Sequence, residues 1–128
     1  MSGLRRLPRI ALWRRFGRLA LAATVVVCLL PMPRSPIPVE GADKIEHALG
    51  WFAIMLWYAQ LAAVPRALLA RACGFVALGA AIELAQSLTP WRSADPWDLA
   101  ANVAGIAAGA ALGLTPLGGV LARIDRPR

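Results

Sequence analysis

Charge is scarce in this chain, and negative charge most of all. Seven Asp and Glu stand against 14 Lys and Arg in 128 residues, charged residues make up 16% of the total, and there is a single histidine. Soluble domains carry about a quarter charged residues, so a water-exposed fold of this composition would lack the polar side chains to cover its surface. Cysteine is nearly absent too. Cys28 and Cys73 both lie inside apolar runs, which excludes a disulfide framework or a thiolate metal knuckle and leaves them as small packing residues. No nucleophile sits in a recognisable catalytic signature.

What is abundant is apolar sequence, 59% of the chain. A net charge of +7 would suggest a nucleic-acid partner in a soluble protein. Here the basic residues fall at the ends of apolar runs, so no nucleic acid is expected and the partner is the lipid bilayer. Continuous runs without strand alternation mean helices in lipid, and each run approaches the roughly 20 residues that cross a hydrocarbon core of about 30 Å. The expectation is one all-α domain over residues 1–128, an integral membrane bundle of four transmembrane helices. They cover about 16–32, 46–64, 70–89 and 97–114, after a basic cytoplasmic segment at 1–15.

The first run, Leu19 to Leu30, is short and follows arginines, as a secretory signal does. The sequence beyond it, Pro31-Met32-Pro33-Arg34-Ser35-Pro36-Ile37-Pro38, offers no small-x-small cleavage site, and an uncleaved helix is expected. Arginine placement then sets the orientation. Arg5, Arg6, Arg9, Arg14, Arg15 and Arg18 precede or open the first helix, Arg66 and Arg71 lie between the second and third, and Arg123, Arg126 and Arg128 close the chain. Both termini are therefore expected in the cytoplasm of a bacterial inner membrane. The two acid-bearing connections then face outward together.

Three polar patches meet at that outer end: Asp43-Lys44-Ile45-Glu46-His47, Glu83-Leu84-Ala85-Gln86, and Arg92 to Asp98 with Asn102. Helical spacing puts Asp43, His47, Gly50 and Ile54 on one stripe, Gly79, Glu83 and Gln86 on another, and Asp98, Asn102, Gly105, Gly109 and Gly113 on a third. The doubled Gly-x-x-x-Gly is a helix-packing motif, and it turns Asp98 and Asn102 into the bundle. Glu83 lies roughly 8 Å below the interface at about 1.5 Å per residue. A carboxylate there needs a cationic or hydrogen-bonding partner, or it takes a proton. His47, Lys44, Arg92, Gln86 and Asn102 are the candidates.

Asp43-Lys44-x-x-His47, Glu83-x-x-Gln86, Pro90-x-Arg92 and Asp98-x-x-x-Asn102-x-x-Gly105 together resemble the motifs of VanZ-like membrane proteins, over about Asp43 to Gly113. The resemblance implies a small multi-helix protein of the bacterial cell envelope and a link to glycopeptide resistance of the teicoplanin type. It carries no established biochemical activity. The family's polar positions correspond to Asp43, Lys44, His47, Glu83, Gln86, Arg92, Asp98 and Asn102.

Two functional readings stay open. In one, the outer cluster binds an amphiphilic ligand, a cell-wall precursor or a protein partner, with Asp43, Lys44, Gln86, Arg92, Asp98 and Asn102 as binding residues. In the other, Glu83 and His47 act as acid and base of a membrane-embedded enzyme on a lipid-linked envelope substrate. Arg92 and Lys44 then hold its phosphate or carboxylate. One histidine with carboxylates can serve a hard divalent ion, but zinc prefers more nitrogen or sulfur, and membrane carboxylates more often pair with bases. No metal and no cofactor are expected.

Overall fold

The computed structural model describes residues 4–31 and 39–126. Five helices follow one another: α1 (Ile10–Leu29), α2 (Ala42–Leu61), α3 (Pro65–Ser87), α4 (Pro96–Gly113) and, after a 3-10 turn at Pro116–Gly119, the short α5 (Val120–Ile124). The all-α expectation holds: among the described residues the extended backbone pairing is a single isolated bridge, Leu4 to Ala62.

Local chemistry sets the starts. Pro65 and Pro96 occupy first-turn positions, where a missing N–H costs nothing and the fixed φ suits a helix. Asp95 caps α4 by accepting a hydrogen bond from the Trp97 N–H at 2.9 Å. Gly41, at φ 79, turns the chain into α2 through a left-handed conformation that favours glycine.

The helix bounds differ from those read off apolar runs. α1 starts at Ile10, so Trp13, Arg14 and Arg15 lie within it, with Arg18, rather than in a basic segment before it; long arginine stems can cover apolar surface while their heads reach water. α3 starts at Pro65 because proline opens this helix as well as closing the one before. The far end expected for the first helix, at Met32, lies outside the described residues. Beyond α4 the chain bends by 73° into the 3-10 turn and α5, a feature the apolar pattern did not separate from the fourth helix.

Packing is closest between α2 and α4. A Cβ on Gly105 would collide with the Ala48 carbonyl, and one on Gly109 would sit 2.8 Å from the Phe52 carbonyl oxygen. Small residues thus let the two backbones touch. Trp51, Ile54, Met55 and Ala59 of α2, Leu68, Phe75 and Ile82 of α3, and Ile106 of α4 form the main core. Trp51 stacks near Phe75 at a centroid distance of 6.0 Å. α1 lies on this unit through Gly17, against which the Trp57 indole packs, and through Phe16, 4.6 Å from the Trp57 ring.

The helices alternate in direction, so the molecule has two polar ends. At one, the Arg5 N–H donates to Leu61 (2.9 Å), the Arg9 N–H donates to Asp125 (3.0 Å), and Gln60 reaches the C-terminal turn. At the other, Gln86 reaches Cys28 and Lys44 reaches Asp95.

By length and apolarity alone, α3 can cross a membrane, and α4 with its bent continuation makes a second candidate. That is one or two spans, against the four expected. α1 falls short because Arg14, Arg15 and Arg18 interrupt it, and α2 because its first turns carry Asp43, Lys44, Glu46 and His47. Only 33% of the most apolar stretch of α3 is buried, which is unlike the core helix of a soluble protein. Leu12, Phe16, Leu19, Ile45, Leu49, Leu69 and Leu84 are likewise exposed.

Candidate functional site at the acidic end

Two carboxylate groups share Asp98. In the outer group, the Lys44 ammonium lies 2.6 Å from Asp43, 2.6 Å from Asp95 and 2.6 Å from Asp98 Oδ1. The first two contacts are hydrogen bonds; the contact to Asp98 Oδ1 has the distance of an ion pair but not the angle of a hydrogen bond. Hydrogen bonds from Lys44 hold the Asp43 and Asp95 carboxyls below the usual carboxylate range. Desolvation pulls the Lys44 ammonium the other way, but the three carboxylates outweigh it and raise its pKa above that of an ordinary lysine. Asp95, the cap of α4, was not among the expected binding residues. Its sequence signal is an acid directly before a helix-opening proline.

The inner group is His47, Glu83 and Asp98, from α2, α3 and α4. One ligand atom from each lies within 4.8 Å of the other two. His47 Nδ1 is 3.0 Å from Asn102 Oδ1. An amide oxygen only accepts, so Nδ1 carries a proton in this contact and Nε2 is the ring nitrogen turned away from Asn102. Nε2 lies 3.9 Å from Asp98 Oδ2. His47 bonded to Asp43 one turn earlier is the local alternative, and it is not formed: Asp43 binds Lys44 instead.

Glu83 departs most from expectation. It is 6% exposed, yet both carboxylate oxygens are buried and no well-aligned hydrogen bond reaches them among the described residues; the Asp95 backbone N–H approaches without the geometry of one. The partner that burial demands is absent from the side chains offered as candidates. Lys44 is enclosed by the outer group, Asn102 holds His47, and Gln86 donates from Nε2 to the Cys28 carbonyl at 2.6 Å, tying α3 to the last turn of α1.

Beside the inner group opens a recess of about 370 Å³, lined by Ala23, Val27 and Cys28 of α1, by Glu46, His47 and Trp51 of α2, and by Arg92. The α1 lining is mostly apolar, with Thr24 among it, and the rest carries an imidazole, a guanidinium and the Glu46 carboxylate. Arg92 makes no hydrogen bond or ion pair with a described residue. Trp91, in the connection that carries Arg92, and Trp97, in the first turn of α4, are 53% and 73% exposed.

The structure thus brings together His47, Glu83, Asp98 and Asn102, adds Lys44 and Asp43 through Asp98, leaves Arg92 on the recess wall and turns Gln86 to a tether. Sequence reasoning also missed two buried polar residues at the opposite end. Gln60 donates to Leu117 (2.9 Å) and accepts from the Leu121 N–H (3.1 Å), and Asp125 accepts from the Arg9 N–H. No family model, no curated protein and no solved structure matches this chain.

Proposed function

We propose that this chain is a VanZ-like protein of the bacterial cytoplasmic membrane that crosses the bilayer four times, with both ends in the cytoplasm. Its outward-facing polar recess binds an amphiphile, such as a lipid-linked cell-wall precursor. The observation that carries the reading is the mixed lining of the recess: Ala23, Val27 and Cys28 of α1 together with His47, Glu46 and an Arg92 that is unpaired among the described residues. An anionic head can pair with the guanidinium while its chain lies along Ala23 and Val27.

The bilayer assignment is supported by helix lengths of 18 to 23 residues, or about 27–35 Å at about 1.5 Å per residue, and by exposed leucines around the girth. Arginines concentrate at the end that carries both termini, as the inside rule requires. The VanZ-like resemblance extends the reading to glycopeptide resistance of the teicoplanin type.

A photo-crosslinking side chain placed at Trp91 or Trp97 should capture a lipid-like adduct in cells. Adduct no greater than at Leu69, on the far end of α3, would sink the reading. A second reading, an acid–base enzyme using Glu83 and His47, is favoured by one observation: the His47 imidazole lies 3.9 Å from the Asp98 carboxylate and clusters with Glu83.

A further inference from the structure

We infer that His47 Nε2, Glu83 and Asp98 Oδ2 form a binding site for one first-row divalent cation of the manganese or zinc kind. This goes beyond the amphiphile reading and does not depend on it.

The first support is Glu83. A side chain 6% exposed, with two oxygens buried and unbonded among the described residues, carries an uncompensated desolvation cost that grows when it is charged. A cation between it and its neighbours removes that cost. The second support is the tautomer of His47. Metal-ligating histidines almost always donate their other ring N–H to an oxygen that fixes the ring, and Asn102 Oδ1 does this at 3.0 Å. Nε2 is thereby the ligating atom, on the side of Asp98 and Glu83.

The third support is the neighbouring group, Asp43, Asp95 and Asp98, which also has cation-site spacing. There the chain supplies its own cation, with Lys44 Nζ 2.6 Å from all three. Lys44 meets Asp98 through Oδ1 and leaves Oδ2 for the inner group. Among the described residues no side-chain cation stands at the centre of His47, Glu83 and Asp98. One imidazole with two carboxylates suits manganese best and zinc, which prefers more nitrogen or sulfur ligands, less well. The recess beside His47 provides the approach from outside and a direction for further ligands. The sequence already offers His47 with Asp43, Glu83 or Asp98 as a disfavoured donor set; the proximity of His47, Glu83 and Asp98 is what the fold adds.

The test is titration of the full chain, purified in detergent without a histidine tag, with Mn²⁺ and separately with Zn²⁺. One equivalent should bind per chain, and Glu83→Gln and His47→Ala should each weaken binding at least tenfold, with Asn102→Leu losing about 10–100-fold as an outer partner does. Because a variant can fail to fold, the wild-type protein carries a second readout. Pulsed electron paramagnetic resonance of the Mn²⁺-loaded chain should show one coordinated imidazole nitrogen, and the chain's single histidine makes that signal His47. Binding that is not stoichiometric for either ion, stoichiometric binding unchanged in folded variants, or bound Mn²⁺ without a coordinated nitrogen would overturn the inference.

Discussion

The two ends of the bundle treat buried polar groups in opposite ways. At the arginine-rich end, Gln60 has both ends of its amide satisfied by the C-terminal turn. Asp125 accepts from the Arg9 backbone and lies 3.6 Å from its guanidinium, and Arg5 closes the orphan carbonyls of Leu61 and Ala62. The Trp13 indole N–H is the exception there. At the acidic end, Glu83 is buried to a similar depth and has no well-aligned hydrogen bond among the described residues, while Arg92 lines a recess without a hydrogen bond or ion pair to any of them. Satisfied polar groups hold elements in place. An unsatisfied charged group destabilises, and such groups persist where a ligand completes them. The difference separates a fastening from a site within one small fold.

The comparison can be broken by substitution. The largest effect is expected midway between the ends: Gly105→Leu drives a side chain into the Ala48 carbonyl, and loss should exceed the roughly 1–3 kcal/mol of ordinary overpacking, read as loss of folded protein in thermal unfolding. Next, Gln60→Leu should cost about 1–3 kcal/mol by leaving a buried carbonyl and N–H unpaired, with faster hydrogen exchange over residues 114–125. Glu83→Leu should do the reverse, leaving stability in chelator-treated detergent equal or raised by about 1 kcal/mol, while crosslinking at Trp97 falls. A destabilisation matching that of Gln60→Leu would make Glu83 another fastening.

A smaller effect concerns pH. The Asp43 and Asp95 carboxyls have folded pKa values below their unfolded ones. Their contribution is therefore complete above the ordinary carboxylate range, near pH 4, and is lost as pH falls through the lowered values. Lys44 is raised, so its share is present below the unfolded lysine value of about 10.4 and fades only in strong base. Between about pH 5 and 9 stability from this group should be flat. Since both acids are largely exposed, the acid loss should be slight, and Lys44→Met should narrow its gap to wild type as pH is lowered from 6 to 3 in melting curves. Smallest of all, Gly74→Ala on an open face of α3 should stabilise by about 0.5–1 kcal/mol.

Much of this arrangement is legible in residue spacing. Asp98, Asn102, Gly105, Gly109 and Gly113 recur at helical intervals, and all five are buried in α4. Alternating helices then bring His47, Glu83 and Asp98 to one end. Other features depend on distances that periodicity does not encode. Spacing selects a face of α3 for Glu83 but not whether a cation reaches it, and Lys44 is captured by Asp95, 51 residues away. The N-terminal extent of α1 was hidden because arginines interrupt the apolar pattern without interrupting the helix. Gln60 looked like a polar residue near a helix end until the turn after Pro116 folded back onto it.

The account depends on these ends lying on opposite sides of a bilayer, and accessibility tests that most directly. In a Cys28→Ala, Cys73→Ser background, single cysteines at Ala67 and Ser93 are exposed to a membrane-impermeant thiol reagent on intact cells. Labelling at residue 93 and protection at residue 67 until the membrane is opened is the expected result; equal labelling of both, or neither, would contradict it.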